Sequence, residues 1–330
     1  MFGAGAIGGV VGARLHQAGF DVTLIARGPH YEAIRAGGLT IEDPETTAVL
    51  EIDAVDTPRM VRWSGEEVVL LATKGQDSLP SLRALQPWAP PATPIVCLQN
   101  GVENERLALR LFANVYGAVV MLPAAHLEAG VVQAHGAKLS GLIDIGRYPS
   151  GVDDRCRAVV AALGRSRFGS AARADVMRLK YAKLILNVGN AVEAMCGTVG
   201  SKSAADELTA LAREEGRKVL RAAGIEFVAE EVDDVRGRWQ RLGVRESGER
   251  QRSGSSTRQS LDRRAGSVES DYLNGEVVLL GRLHGVGAPV NELLQASINE
   301  LARHRGQPGS VPAEELLARL RSDAVDILGA

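Results

Sequence analysis

Three groups of residues in this chain have the types and spacing that chemistry needs. The first is Gly3, Ala4, Gly5, Ala6, Ile7 and Gly8, a GxGxxG run that leads into a small-residue helical stretch at 9–18 and an apolar β-branched segment at 21–26. In that context the first glycine makes a tight turn, the second lets backbone approach a pyrophosphate, and the third lets a helix pack closely. Phosphate charge then sits among the unpaired N–H groups of the helix N-terminus. Alone the motif is no more than a packing turn; the helix and strand that follow make it a dinucleotide site. At the end of the next strand, Arg27 stands where an NAD site carries Asp or Glu against the ribose 2′-hydroxyl. A guanidinium suits a 2′-phosphate instead, which favours NADP(H) over NAD(H). The bland alternative is a surface arginine at a strand end.

The second group is Lys74, directly after the run EVVLLAT at 67–73, and Asn100, in CLQNG after the run at 93–98. Ligands of open α/β sheets bind beyond the carboxyl ends of the strands, so Lys74, Asn100 and the glycine turn should line one crevice. The third group lies on a helix expected over 175–195, apolar nearly all round and therefore buried. At about 100° per residue, Lys183, Asn187 and Asn190 fall within roughly 60° of one another, with Lys180 a turn earlier. A lysine facing the crevice from a buried helix becomes a usable general acid, because desolvation lowers its pKa; the alternative is a polar rim. Glu269 supplies a carboxylate, with Ser267 placed to cap a helix over 268–284 and Glu269 in its first turn. There too a plain complement to the helix dipole is the alternative.

The elements that must position these groups follow from pattern. Buried strands at 21–26, 67–72 and 93–98, with helical segments among the stretches between them, argue for an α/β domain with a mostly parallel, Rossmann-type sheet. Long helical patterns follow, including 204–223, so an all-helical C-terminal domain is expected. The boundary is placed between 173 and 174, giving an NADP-binding domain over 1–173 and a helical substrate and catalytic domain over 174–330. A strand should precede the glycine turn, yet only Met1 and Phe2 stand ahead of Gly3. The central strand is therefore expected to be truncated or reduced to its last residues, weakening the sheet there. Nine arginines between 236 and 264 read as a solvated loop or helix face.

Composition narrows the function classes. The 330 residues, 45% hydrophobic and 24% charged, are those of an ordinary globular protein of about two domains. With 38 Lys and Arg against 40 Asp and Glu there is no basic field for nucleic acid, which leaves small molecules as the expected partners. Cys97, Cys156 and Cys196 are far apart and no histidines cluster, so neither disulfides nor a metal site is expected. No apolar run spans a bilayer and no signal peptide is evident, so a cytoplasmic protein without membrane contact is the expectation.

These residues resemble the ketopantoate reductase (2-dehydropantoate 2-reductase) family. The matching pieces are the opening GAGAIGG, Lys74 at its strand end, QNG at 99–101, KLxxN at 183–187, SSxxQ at 255–259, ExDYLNGE at 269–276 and HGVGAPVNE at 284–292. The resemblance implies NADPH-dependent reduction of a 2-oxo acid to a D-2-hydroxy acid, in pantothenate and coenzyme A biosynthesis, with a homodimer as one assembly open to it. By residue it implies Lys183 as proton donor, Asn187 as a substrate ligand, Ser256 at the substrate carboxylate, and Glu269 near the lysine and nicotinamide ribose. Gly3 to Gly8 in the turn, Arg27, Lys74 and Asn100 match the cofactor side, and Asn100 also borders the substrate. Three departures bear on the substrate: the family's second asparagine, eight residues after the lysine, is Ala191 here with Asn190 one position earlier, Ser260 stands where an Asp commonly follows SSxxQ, and the stretch from Ser256 to Glu269 is one residue longer. A reductase of another branched or aromatic 2-oxo acid is therefore the second reading, and a non-catalytic NADP-binding regulator the third.

Overall fold

The computed structural model describes residues 1–197, 203–229, 235–245 and 254–328. The chain divides into two compact units, Met1–Lys180 with Val228–Arg252, and Tyr181–Phe227 with Ser253–Ala330. The division at Lys180 falls inside the helix Val176–Asn187.

The first unit is a Rossmann-type α/β structure. Its main sheet runs, in spatial order, Asp53–Val55, Thr23–Ile25, the single residue Phe2, Val69–Leu71, Ile95–Cys97, Val115–Met121, Gly141–Arg147 and Phe168–Gly169. Neighbours are parallel except Val115–Met121 with Gly141–Arg147. The apolar runs at 21–26, 67–72 and 93–98 are strands at their centres only; Ala26 and Leu98 are buried just past the ladder. Phe2 bridges Ile25 on one side and Leu71 on the other, so the first strand is one residue long, and the order of the sheet reverses there. A cavity of about 630 Å³ opens beside it, between Val22 and Thr23 on one wall and Val68 and Val69 on the other.

The helix Ala6–Gln17 buries Val10, Val11 and Ala13 in a core with Leu24, Leu39 and Val132. Each buried valine or leucine among them contributes about 1.5 to 3 kcal/mol. A second sheet, in the order Thr47–Leu50, Leu39–Glu42, Val131–Ala134 and Ala124–Glu128, covers this helix. Small residues permit that cover: a Cβ on Gly9 would lie 2.6 Å from Val132 Cγ1. A buried ion pair joins the layers. Arg14 Nη2 lies 2.5 Å from Asp43 Oδ2, while Arg14 Nε donates to Ser140 Oγ at 2.9 Å and Arg167 Nη1 reaches Asp43 at 3.1 Å.

The second unit is helical. Val188, Leu208, Val277, Leu294, Ile298 and Leu316 form its core. The helix Ala204–Ala222 matches its sequence pattern, and its N-terminus carries a capping box between Ser203 and Asp206. Two expectations need correction. The helix expected over 175–195 is two, Val176–Asn187 and Asn190–Cys196, joined by a turn at Val188 and Gly189. The helix expected over 268–284 is a 3₁₀ turn, Glu269–Tyr272, and a helix, Asn274–His284, separated at Leu273, whose φ of −119° and ψ of −87° are not helical.

The arginine-rich stretch is not simply a solvated face. Arg238, on the helix Val235–Leu242, is buried and lies 3.2 Å from Asp144 Oδ2, and Arg258 approaches Glu193 at 3.9 Å. Arg250 and Arg252 lie outside the described residues. Among the described residues no helix is long and apolar enough to cross a membrane.

Candidate active site

In the first unit the predicted cofactor residues all stand at the carboxyl ends of parallel strands. Gly3 follows Phe2 with a φ of +92°, and its N–H donates to Ile25 O at 3.0 Å. Glycine is required there by that left-handed backbone, and a Cβ would also meet Thr73 N at 2.9 Å. Gly8 packs against this turn, since its Cβ would fall 1.8 Å from Gly3 O. Gly5 is different: it is the N-cap of the helix Ala6–Gln17, and a Cβ on it would meet nothing nearer than His126 Nδ1, at 3.9 Å. That open face above helix N–H groups fits a pyrophosphate.

Sequence reasoning missed what holds this turn. His30 Nε2 donates to Ala4 O at 2.8 Å, because its Nδ1 accepts the Gly130 N–H at 2.9 Å and so carries no proton. Burial pushes the His30 pKa below its ordinary value, against the contact with Ala4 O, and keeps the ring neutral.

Arg27 is exposed at the start of the helix Gly28–Gly37, where its Nη2 lies 3.2 Å from Asp77 Oδ2. Asp77 is a second missed residue, five positions beyond the expected strand end at 72. Lys74 precedes the 3₁₀ turn Gly75–Asp77, and Asn100 follows Ile95–Cys97 with Gly101, at a φ of +78°, completing the QNG turn.

The lysine stripe separates into two environments. Lys180 is 4% exposed and lies 2.6 Å from Glu105 Oε1, whereas Lys183 and Asn187 are half-buried one and two turns further on. The buried lysine of the stripe is thus Lys180, which is paired.

In the second unit, the break after Asn187 is held by side chains of the two C-terminal motifs. Asn274 Nδ2 donates to Val188 O and to Asn291 Oδ1, both at 3.0 Å, and Asn291 in turn donates to Glu215. Asn190 opens the helix after the break and is half-buried, while Ala191 is 2% exposed in the core. Ser256 is the first residue of the helix Ser256–Asp262; Ser255 caps it and donates to Glu193 Oε2 at 2.6 Å. Glu193 was not legible as a site-building residue. Glu269 is buried at the start of its 3₁₀ turn, and the cap position is Val268, not Ser267, with no side-chain cap. Ser267 sits one residue too early.

The fold and glycine turn of the first unit define a dinucleotide-binding Rossmann domain, carried on one chain with a helical unit. The model of the ketopantoate reductase PanE/ApbA family matches residues 1–150, and that of its C-terminal domain matches 175–302. The chain belongs to the ketopantoate reductase PanE/ApbA family, a family of NAD(P)-dependent oxidoreductases. It is 29% identical to a 2-dehydropantoate 2-reductase of Pyrococcus horikoshii, over 90% of this chain and 95% of that one. Identity to a 2-dehydropantoate 2-reductase of Mesorhizobium japonicum is 28%, over 93% and 98%. Among solved structures, a PanE/ApbA family ketopantoate reductase from Ralstonia eutropha matches with a TM-score of 0.77 at 28% identity, over 92% of this chain and 99% of that one. A D-mandelate dehydrogenase shares the fold, with a TM-score of 0.76 at 22% identity, over 92% and 99%.

Proposed function

We propose that this protein reduces 2-dehydropantoate to D-pantoate with NADPH, a step of pantothenate and coenzyme A biosynthesis. The observation that carries the reading is the family match over both halves, with Lys183, Asn187, Ser256 and Glu269 standing at the motif positions. The open Gly5 face, Arg27, Lys74 and Asn100 suit the dinucleotide. When bound, NADPH supplies hydride to C2 of the oxo acid. Lys183 holds a proton at Nζ for the oxygen on C2 and offers positive charge as that oxygen becomes an alkoxide. Asn187 and Asn190 bind the substrate's oxygens, Ser256 receives its carboxylate, and Glu269 orients the lysine and the ribose. NADPH oxidation with 2-dehydropantoate and a panel of branched and aromatic 2-oxo acids tests the reading. Fastest turnover on 2-dehydropantoate is expected; a better substrate elsewhere in the panel replaces it, and binding without turnover on any acid leaves a regulator.

Arg27 supports NADPH over NADH. A charge-assisted contact with the 2′-phosphate is worth about 1.5 to 3 kcal/mol, so Arg27→Ala weakens NADPH binding roughly 10-fold to 150-fold and NADH binding hardly at all. Equal losses for the two nucleotides, measured by fluorescence titration, would remove Arg27 from this role.

The second reading, a different 2-oxo acid, is favoured by the position eight residues after Lys183. Ala191 there is buried in the core, so the polar group at this point of the chain is Asn190, beyond the helix break. If Asn190 reads the substrate hydroxyl, Asn190→Ala narrows the kcat/KM preference for 2-dehydropantoate over its 4-deoxy analogue. An unchanged ratio makes Asn190 a packing residue.

A further inference from the structure

Between the loops that carry Lys74 and Asn100 runs a buried line of polar side chains. Ser78 Oγ donates to Asn104 Oδ1 at 2.7 Å, reaches Lys74 O at 3.4 Å and accepts from Gln99 Nε2 at 3.1 Å. Asn104 Nδ2 donates to Asn100 O at 3.0 Å. Gln99 then connects the line to Lys180, whose ammonium donates to Gln99 O at 3.0 Å and Ala118 O at 3.3 Å and lies 2.6 Å from Glu105 Oε1. Two of the three N–H groups of the ammonium go to these carbonyls, and its charge lies against the buried carboxylate. The lysine and glutamate side chains are 3% and 0% exposed.

Taking both charges out of water is costly, and an apolar pair of similar volume is often as stable. The ion pair adds direction. Its lysine grips carbonyls on or just past two neighbouring strands, Ile95–Cys97 and Val115–Met121, and the first of these carbonyls belongs to the residue before Asn100. Lys180 is also buried and paired, which separates it from the half-buried Lys183.

We infer that Lys180 and Glu105 are positioning residues that set the backbone at Asn100, and through Gln99 and Ser78 the backbone at Lys74, for the nucleotide. The inference rests on the nucleotide-binding reading of these loops and adds two residues which that reading does not use.

Either single change strands a buried charge and risks unfolding the unit, so the decisive variant is the full chain carrying Lys180→Met and Glu105→Met together. Three measurements are made on it and on the unaltered protein: thermal melting, NADPH affinity by fluorescence titration, and amide hydrogen exchange of peptides covering 74–78 and 99–104. A positioning role predicts a melting temperature close to that of the unaltered protein, NADPH binding weaker by on the order of 10-fold to 100-fold, and faster exchange confined to those peptides. Unaltered affinity and exchange in a stably folded double variant would overturn the proposal and leave the pair a replaceable packing element. If the unaltered protein binds no NADPH, the proposed function falls, while the exchange measurement still decides whether the pair sets the two loops. If the double variant does not fold, the neutral polar pair Lys180→Gln with Glu105→Gln in the full chain decides on the same readouts, with the same exchange pattern expected and unchanged exchange overturning the proposal.

Discussion

Replacing Lys183 with alanine lowers kcat by on the order of 100-fold to 10,000-fold and leaves NADPH affinity little changed. The reason is where the charge develops. In the proposed reduction, hydride arriving at C2 would leave an alkoxide, and the Lys183 ammonium at that oxygen would stabilise it first as a cation and then as an acid. Both effects are stronger in the transition state than with bound substrate, so the loss falls on kcat rather than on KM. The unaltered enzyme also slows at pH values where the ammonium has lost its proton. Lys180 does not compensate, since it is buried, donates to Gln99 O and Ala118 O and is paired with Glu105. Steady-state kinetics retaining more than about a tenth of kcat in Lys183→Ala would contradict the assignment, since one-tenth is below the loss expected for a general acid.

The second large effect is on stability. Asp43→Asn lowers the unfolding free energy by about 3 to 5 kcal/mol at neutral pH, because it leaves Arg14, itself 3% exposed, as a buried charge without its counter-ion. Burial by itself pushes the Asp43 carboxyl up, but hydrogen bonds from Arg14 and from the Glu45 and Thr46 N–H groups, with the Arg14 charge, bring it down to about 2. A carboxyl lowered on folding stabilises the fold above its unfolded pKa, near 4, and that contribution is lost as pH falls toward about 2. Denaturant unfolding between pH 7 and pH 2 therefore shows a gap between the two proteins that closes in acid. Parallel curves across that range would mean that the pair is not linked to folding.

The sequence made the parallel strands, the glycine turn and the helix Ala204–Ala222 legible because each rests on local pattern: β-branched apolar runs, a positive φ at Gly3, a capping box. Lys183, Asn187 and Glu269 stood out by helical spacing and took their expected roles from family motifs, which alone pointed to Ser256. What stayed hidden depends on contacts between distant residues. Nothing near Glu105 in the chain announces Lys180, and nothing near Asn274 announces that it satisfies the carbonyl where the lysine helix breaks. The break itself escaped because Val188 and Gly189 continue the apolar pattern. The second sheet was missed because its strands are short and partly exposed, as in Thr47–Leu50. The same long-range pairing explains why Arg238 is buried although its sequence neighbourhood looks like solvent.

The interleaving of the two units has a consequence for how the protein can be made. The first unit closes only with residues 228–252, whose helix Val235–Leu242 brings Arg238 to Asp144 and whose backbone meets 135–138, through Lys138 N to Leu242 O at 3.2 Å and Arg245 N to His135 O at 2.8 Å. A gene fragment stopped at Lys180 would encode every strand of the main sheet yet leave the buried Asp144 without Arg238. On the ribosome the same gap persists until the 47 residues of Tyr181–Phe227 have been added and the stretch beyond them has emerged. The nucleotide-binding half is thus one piece in space and two in time, and its isolated coding segment is a poor substitute for the whole chain.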